Sequence, residues 1–328
     1  MQSYVIRRLL YFIPTLILIS IISFAVIQAP PGDFVTTLVV QMEARGDQVD
    51  EDLINALRAR YGLGKPLWQQ YLIWIGNILQ GDLGVSMAYN QPVSRIIMDR
   101  LPWSLLFSFS AFLIVYAIGF PIGFLSAVRQ YSIADYFLTF VGFIGLAIPN
   151  FMLALILLWG YFEATGQALV GIYSVEYAVA PWSFGKFLDL LNHLWIPAVI
   201  IGTAGTAGLI RIVRANLLDE LKKLYVTAAR AKGVPETRLI LKYPVRLAIN
   251  PVISNIGYVL PALISGEVIT SIVIGLPTIG PVLLRALQTE DMFLAGSIVL
   301  ILSVLTLVGT LVSDLLLAVI DPRIRHGV

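Results

Sequence analysis

Two acids stand alone in long apolar runs of this chain, Glu267 and Asp314. An ionisable group at membrane depth is costly, so each is a candidate for function. Asp314 lies about two helical turns from the C-terminal tail, where pairing with a nearby arginine is the simpler reading. His193 and His326 sit singly at the ends of apolar runs, without the spacing of metal ligands. There is no cysteine, which removes thiolate nucleophiles, disulfides and sulfur metal sites. With no nucleophile beside a base and no metal cluster, a membrane-embedded enzyme is disfavoured. Gly62-Leu-Gly-Lys65 is a fragment of a phosphate cradle that lacks the hydroxyl after lysine, so the chain offers ATP no binding motif.

Recognition is the chemistry the sequence does carry. Tyr225-Val-Thr-Ala-Ala-Arg-Ala-Lys-Gly233-Val-Pro235 is a short basic segment between two apolar spans. Before it, Leu217, Leu218, Leu221 and Leu224 mark one face and Asp219, Glu220, Lys222 and Lys223 the rest, so a helix is expected to leave the membrane as an amphipathic rod. Ala228 and Ala229 are small enough for another surface to come close. Gly233 stops the helix and Pro235 starts the next. A solvated loop would carry the same positive charge, but not the alanine pair, the glycine stop and the restarted helix together. The candidate docking residues are Tyr225, Thr227, Ala228, Ala229, Arg230, Ala231, Lys232, Gly233 and Pro235.

The elements that position this segment follow from composition. Hydrophobic residues make up 58% and charged residues 13%, against about 45–50% and about 25% in soluble domains. The chain belongs in a bilayer. Six stretches have the roughly 20 apolar residues a span needs: Leu9 to Gln28, Trp103 to Val128, Ala134 to Phe162, Leu194 to Val213, Ala248 to Ile274 and Met292 to Ile320. An all-α polytopic membrane protein of six transmembrane helices is expected. The first stretch follows Arg7 and Arg8 like a signal peptide, but it runs long and lacks a small-residue cleavage site, so it reads as a retained helix. Lysine and arginine concentrate in residues 214–246 and near both termini, which places these segments on the cytoplasmic side.

Residues 29–102 form an extracytoplasmic insert too long for a turn. Val49, Leu53, Leu57 and Tyr61 repeat every fourth residue, and Gly62 closes that run. Pro66 opens a second amphipathic helix through Tyr71, Trp74, Ile75 and Ile78, ended by Gly81. These helices are read as lying at the outer interface or capping the bundle mouth. The chain thus divides into the N-terminus and first span (1–28), the helical insert (29–102) and a core (103–328) that contains the loop 214–246. A second external insert, Glu163 to His193, has no readable periodicity.

Within the fifth span Asn250, Ser254, Gly257, Pro261 and Ser265 recur at spacings of three or four, which puts them on one face. The stripe suits a translocation path, and equally close helix packing. Glu267 falls off this face, but as a buried acid it joins the path candidates. Pro149-Asn150 and Pro261 are positions for a break or kink.

Several of these stretches resemble one family. Thr227-Ala228-Ala229, three residues, then Gly233 is similar to the E-A-A-x3-G core of ABC importer permeases. Tyr61-Gly-Leu-Gly-Lys-Pro-Leu-Trp68, Gly81-Asp-Leu-Gly-Val-Ser86, Pro92-Val-Ser-Arg-Ile-Ile-Met-Asp-Arg-Leu-Pro102 and Arg7-Arg-Leu-Leu resemble the first permease subunit of the dipeptide, oligopeptide and nickel type. The resemblance covers nearly the whole chain. It departs from the general motif where Thr227 replaces the glutamate and Tyr243 and Arg246 replace a later isoleucine and proline. It implies a type I ABC importer permease fold in a prokaryotic cytoplasmic (inner) membrane, with both termini cytoplasmic. It also implies a coupling helix at Tyr225–Pro235 that docks in an ATPase cleft. The partners it implies are a second homologous permease, two ATPase subunits that hold ATP and Mg, an extracytoplasmic solute-binding protein and the lipid bilayer. No cofactor bound by this chain and no nucleic acid is expected. Di- or oligopeptides are the expected cargo, with oligosaccharides or nickel chelates as alternatives. An ion-coupled secondary transporter, which would need a midplane ion site and often an internal repeat, is the reading from a different class.

Overall fold

The computed structural model describes residues 2–28, 65–86 and 88–320, together with positions 35, 39, 40, 42, 46, 52, 54–56 and 59; at 2–5, 26, 27, 258, 260, 261, 264, 265 and 320 it describes the backbone alone. The repeat positions Val49, Leu53, Leu57 and Tyr61, the fragment Gly62–Gly64, the tail arginines and His326 lie outside the described residues. The described elements are α1 (Gln2–Ile27), α2 (Leu67–Leu79), the strands β1 (Val85–Ser86) and β2 (Gln91–Pro92), α3 (Val93–Val128), α4 (Ile133–Ala147), α5 (Asn150–Thr165), α6 (Val175–Ala178), α7 (Phe184–Leu221), α8 (Leu224–Ala231), α9 (Glu236–Lys242), α10 (Pro244–Ala248), α11 (Asn250–Ser254), α12 (Ile256–Gly266), α13 (Val268–Ile274), α14 (Ile279–Gln288) and α15 (Met292–Ile320). The strands form one antiparallel hairpin, with Val85 opposite Pro92 and Ser86 opposite Gln91.

Among the described residues four helices are long and apolar enough to cross a membrane, and up to six spans result if two bent pairs each count as one. The first bent pair is α4 and α5, which meet at 102°. Pro149 disfavours the helical conformation for the residue before it, and Ile148 is accordingly extended, at φ −85° and ψ 121°. The second pair, α13 and α14, meets at 104°. The stretch Ala248–Ile274, expected as one span, is divided among α10 to α13. Pro251 stands at the start of α11, where its missing N–H costs little, and α12 runs on through Pro261; the divisions fall at Ile249, Asn255 and Glu267, which keep helical φ and ψ. In contrast α7 runs for 38 residues, roughly 57 Å, well beyond the ~30 Å hydrocarbon layer. It begins ten residues before the expected span, behind Ser183, whose hydroxyl accepts the Lys186 N–H at 3.1 Å.

The chain separates into two compact units. In the smaller (residues 6–102 and 281–305), α2 packs on α1: the Ser20 and Tyr71 hydroxyls are 2.8 Å apart and the Phe24 ring lies 5.6 Å from Tyr71 and 5.7 Å from Trp74. Asp291 joins the hairpin to the start of α15, accepting from Ser86 Oγ at 2.6 Å, Ala88 N at 3.1 Å and Leu294 N at 3.2 Å. In the larger unit (residues 1–5, 103–280 and 306–328), Phe107, Ala154, Ile196, Ile200 and Ile274 are fully buried at the centre of one apolar cluster. The segment 163–193 belongs to this unit and is organised by polar contacts. Asp189 accepts from the Ser174 N–H at 2.8 Å, and Lys186 Nζ donates to the Ala180 carbonyl at 2.7 Å while lying 4.7 Å from the Tyr173 ring centre.

Candidate functional site

The segment Tyr225–Pro235 is carried to its place by α7. That helix ends at Leu221, and Lys223 takes an extended conformation, at φ −71° and ψ 149°, so the chain turns before α8 begins. The turn corrects one expectation. Leu224 does not continue the leucine face of 217, 218 and 221; it is 87% exposed. The turn is strapped by the Tyr225 hydroxyl, which donates to the Glu220 carboxylate. Burial, and then the hydrogen bond to Glu220, push the Tyr225 phenol above its ordinary range, so it stays a donor.

Behind α8 and α9 lies a small core. Val226 and Leu239 are fully buried and Ile240 nearly so, packed against half-buried Phe124, Leu221, Tyr243 and Val245. Each such side chain contributes about 1.5–3 kcal/mol by leaving water. The helices are joined by a glycine stop in its usual geometry. Gly233 has φ +76°, its N–H donates to the Arg230 carbonyl at 3.0 Å, and the Val234 N–H donates to the Ala229 carbonyl at 3.3 Å. Val234 and Ala229 both pack against the small core behind the turn. Across it Arg230 grips Glu236 with both arms of its guanidinium. That pairing holds the Glu236 carboxyl below the usual carboxylate range, although both groups are open to solvent.

The outward face is therefore sharply defined. Leu224, Thr227, Ala228 and Ala231 are exposed at positions i, i+3, i+4 and i+7 of α8, with Lys232, Gly233 and Pro235 exposed beyond its end. Ala229 is turned inward and Tyr225 is half-buried, so of the alanine pair only Ala228 faces out. The result is a rigid, shallow ridge with small side chains at its centre and cations at its rim, a shape suited to a cleft on another protein.

The path candidates occupy different surroundings. Ser254 is exposed and its hydroxyl donates to the Asn250 carbonyl at 3.0 Å. Asn250 is half-buried. Gly257 lies against α15 so closely that a Cβ there would come within 2.6 Å of Thr310 Cα. The side chains of Pro261 and Ser265 lie outside those described. Glu267 is fully buried. Two mostly apolar grooves of about 160 Å³ flank α4 near Gly142, one of them bordered by Arg211 and Arg214.

Two supports of the site were missed from sequence. Arg214 on α7 donates through Nε and Nη2 to Asp135 at 3.0 and 2.8 Å, tying α7 to the first turn of α4. The signal was Ser132-x-x-Asp135, a helix-start pattern in which Ser132 Oγ accepts the Asp135 N–H at 3.1 Å. The Glu220–Tyr225 strap carried no comparable local signal.

With this geometry in place, the chain can be compared with known proteins. Residues 119–326 match the family described as "Binding-protein-dependent transport system inner membrane component". Residues 1–108 match "Binding-prot-dependent transport system membrane comp, N-term". The chain is 38% identical to the oligopeptide transport system permease protein AppB of Bacillus subtilis (strain 168), over 99% of this chain and 100% of that protein. It is 32% identical to the dipeptide transport system permease protein DppB of Escherichia coli (strain K12), over 99% of both chains. With the di/tripeptide transport system permease protein DppB of Pseudomonas aeruginosa (strain UCBPP-PA14) the identity is 31%, again over 99% of both. Among solved structures it resembles a chain of the MetNI methionine ABC transporter in inward-facing conformations. There the TM-score is 0.54 at 14% identity, over 70% of this chain and 97% of that one, a likeness of fold.

Proposed function

The chain belongs to the family of binding-protein-dependent transport system inner membrane components, and from that premise we propose that it is a translocation subunit of an ATP-driven importer of di- or oligopeptides. The cargo class is supported by the peptide permeases it matches along their full lengths. The chain is a permease, and the ATP and Mg belong to separate subunits. A second homologous permease, two ATPase subunits and an extracytoplasmic solute-binding protein complete the proposed assembly. The concentration of Lys and Arg in 214–246 supports a cytoplasmic position for that loop and for both termini.

The ridge of α8 is the observation that carries the coupling role. It is exposed, small-featured and braced from behind by Val226, Leu239 and Ile240, so a push on its outer face moves α8, α9 and the end of α7 as one body. Closure of an ATPase pair would thereby become a rigid-body change in the membrane helices, opening the path alternately to each side. The exposed Ser254 and half-buried Asn250 support a place on that path; the contact of Gly257 with Thr310 supports helix packing.

The test is uptake by the complex reconstituted in vesicles with its binding protein and internal ATP. Labelled dipeptides and oligopeptides are expected to accumulate and to copurify with an ATPase subunit. Accumulation of an oligosaccharide or a nickel chelate in their place would overturn the cargo assignment. Uptake without any ATPase subunit would overturn the ATP-driven mechanism.

A further inference from the structure

One turn before the break between α13 and α14, the larger unit holds buried polar atoms that neither the coupling ridge nor the path stripe uses. Glu267, Thr270 and Ser271 are fully buried, and Thr278 is 1% exposed. Both carboxylate oxygens of Glu267, and the hydroxyls of Thr270, Ser271 and Thr278, lack a well-aligned hydrogen-bond partner, although Ser104 and Thr278 approach the carboxyl. Buried polar groups are nearly always paired, so five such oxygens in twelve residues is a specific feature.

Their placement is convergent. Positions 267, 270 and 271 are i, i+3 and i+4 and share one helix face. Gly275, at φ +74°, then ends the helix, and Thr278 enters from the short irregular stretch before α14. Ser104, from α3, lies beside the Glu267 carboxyl together with Thr278, and its Oγ is fixed in place by accepting the Ile279 N–H at 2.7 Å. Ser108, Ser126 and Ser297 are likewise buried without a partner, but singly, whereas here the unpaired oxygens cluster. Thr206, Ser303 and Thr310 each donate to the carbonyl four residues back, at 2.9, 2.8 and 2.8 Å. Thr270 and Ser271 forgo that bond.

The chemistry narrows the ligand. Among the described residues no lysine, arginine or histidine pairs with Glu267, and a lone carboxylate buried among apolar side chains is strongly disfavoured. All the orphaned atoms are hard oxygens, and among the described residues no group of three or more His, Cys, Asp or Glu could hold a metal. That donor set suits neither zinc nor copper. A single carboxylate also supplies too little charge for a calcium ion stripped of water. A proton would neutralise the carboxyl alone, whereas a singly charged alkali cation balances it and also engages the hydroxyls gathered around it. Broken helices in membrane proteins hold such ions in this way, with side-chain oxygens and freed backbone carbonyls meeting at the break.

We propose that Glu267, Thr270, Ser271 and Thr278 form a binding site for an alkali-metal cation that pins the break between α13 and α14. The proposal does not depend on the transport reading. It is tested with the full chain in lipid nanodiscs at constant ionic strength, titrating sodium or potassium chloride against choline chloride while following the unfolding temperature. The expected result is a saturable rise with at least one of the two cations, abolished in Glu267→Gln. In Thr278→Val the half-saturating concentration should rise by about tenfold. A flat titration for both cations in the wild type overturns the site, as does a rise that survives unchanged in both variants. Stabilisation that follows pH alone and ignores both cations also overturns it, since the carboxyl then holds a proton instead. If Glu267→Gln fails to fold, radiolabelled sodium and rubidium binding to the wild type and to Thr278→Val decides; absence of displaceable binding of either overturns the proposal.

Discussion

The ridge Leu224–Ala231 and the stretch Glu267–Thr278 are both short, interrupted and rich in small side chains, but their polar atoms meet opposite fates. Around the ridge the Tyr225 hydroxyl has Glu220, Arg230 has Glu236, and the helix end is closed by Gly233 and Val234. In the buried stretch five oxygens are left without well-aligned partners. The difference teaches where each region is incomplete. The ridge is chemically finished, and what it lacks is a surface of matching shape. The buried stretch is well packed, and what it lacks is a partner for its charge and its hydroxyls.

If that contrast holds, substitutions at buried contacts cost folding stability, whereas substitutions on the ridge cost function alone. The largest stability loss is expected for Gly257→Leu, because its Cβ would meet the backbone of Thr310 and Gly309, which cannot move aside. About 3 kcal/mol or more is predicted from denaturant unfolding in detergent. Leu239→Ala, which hollows the core behind the ridge, should cost a similar or slightly smaller amount, about 2–3 kcal/mol, and expose α8 to proteolysis. Were the loop resistant to that change, the ridge would not be braced as described.

Gly233→Ala tests the turn alone. No atom lies within 4 Å of the added Cβ, so only the positive φ is penalised, by about 1 kcal/mol. The smallest effect is expected for Arg230→Gln. The Arg230–Glu236 pair is open to solvent, so the unfolding temperature should not change measurably at neutral pH. The sign of its pH dependence is fixed nevertheless. Glu236 has a lowered folded-state pKa, so its contribution is present above about 4.5 and is lost as pH falls through the lowered value. A wild-type minus Arg230→Gln difference that grew as pH fell below 4.5 would contradict the pairing.

The helix, stop and restarted helix of Tyr225–Pro235 were legible in sequence because their signals are local. A glycine stop, a proline start and alanines at helical spacing all act within one or two turns, and the structure shows helices ending and restarting at those points. What stayed illegible depends on distant residues. The insert 163–193 is held by Ser174 to Asp189 and Lys186 to Tyr173, contacts with no period to detect. Leu224 fitted the leucine periodicity and left it only because Lys223 breaks the helix. The apolar run Ala248–Ile274 read as one span because hydropathy does not register local breaks in helical hydrogen bonding such as those at Ile249, Asn255 and Glu267. Glu267 was visible as an acid out of place, but its complete burial beside Ser104 and Thr278 is a product of packing.

The measurement closest to the central claim is binding-protein-stimulated ATP hydrolysis by the assembled complex in lipid, comparing wild type with Ala228→Glu. Ala228 is exposed at the middle of the ridge, so the added carboxylate should leave the unfolding temperature unchanged. It should still lower stimulated hydrolysis by about tenfold or more, or release the ATPase subunits, because an unpaired charge would have to be buried in the cleft. Full stimulation and intact assembly in Ala228→Glu would mean that this face of α8 meets no ATPase.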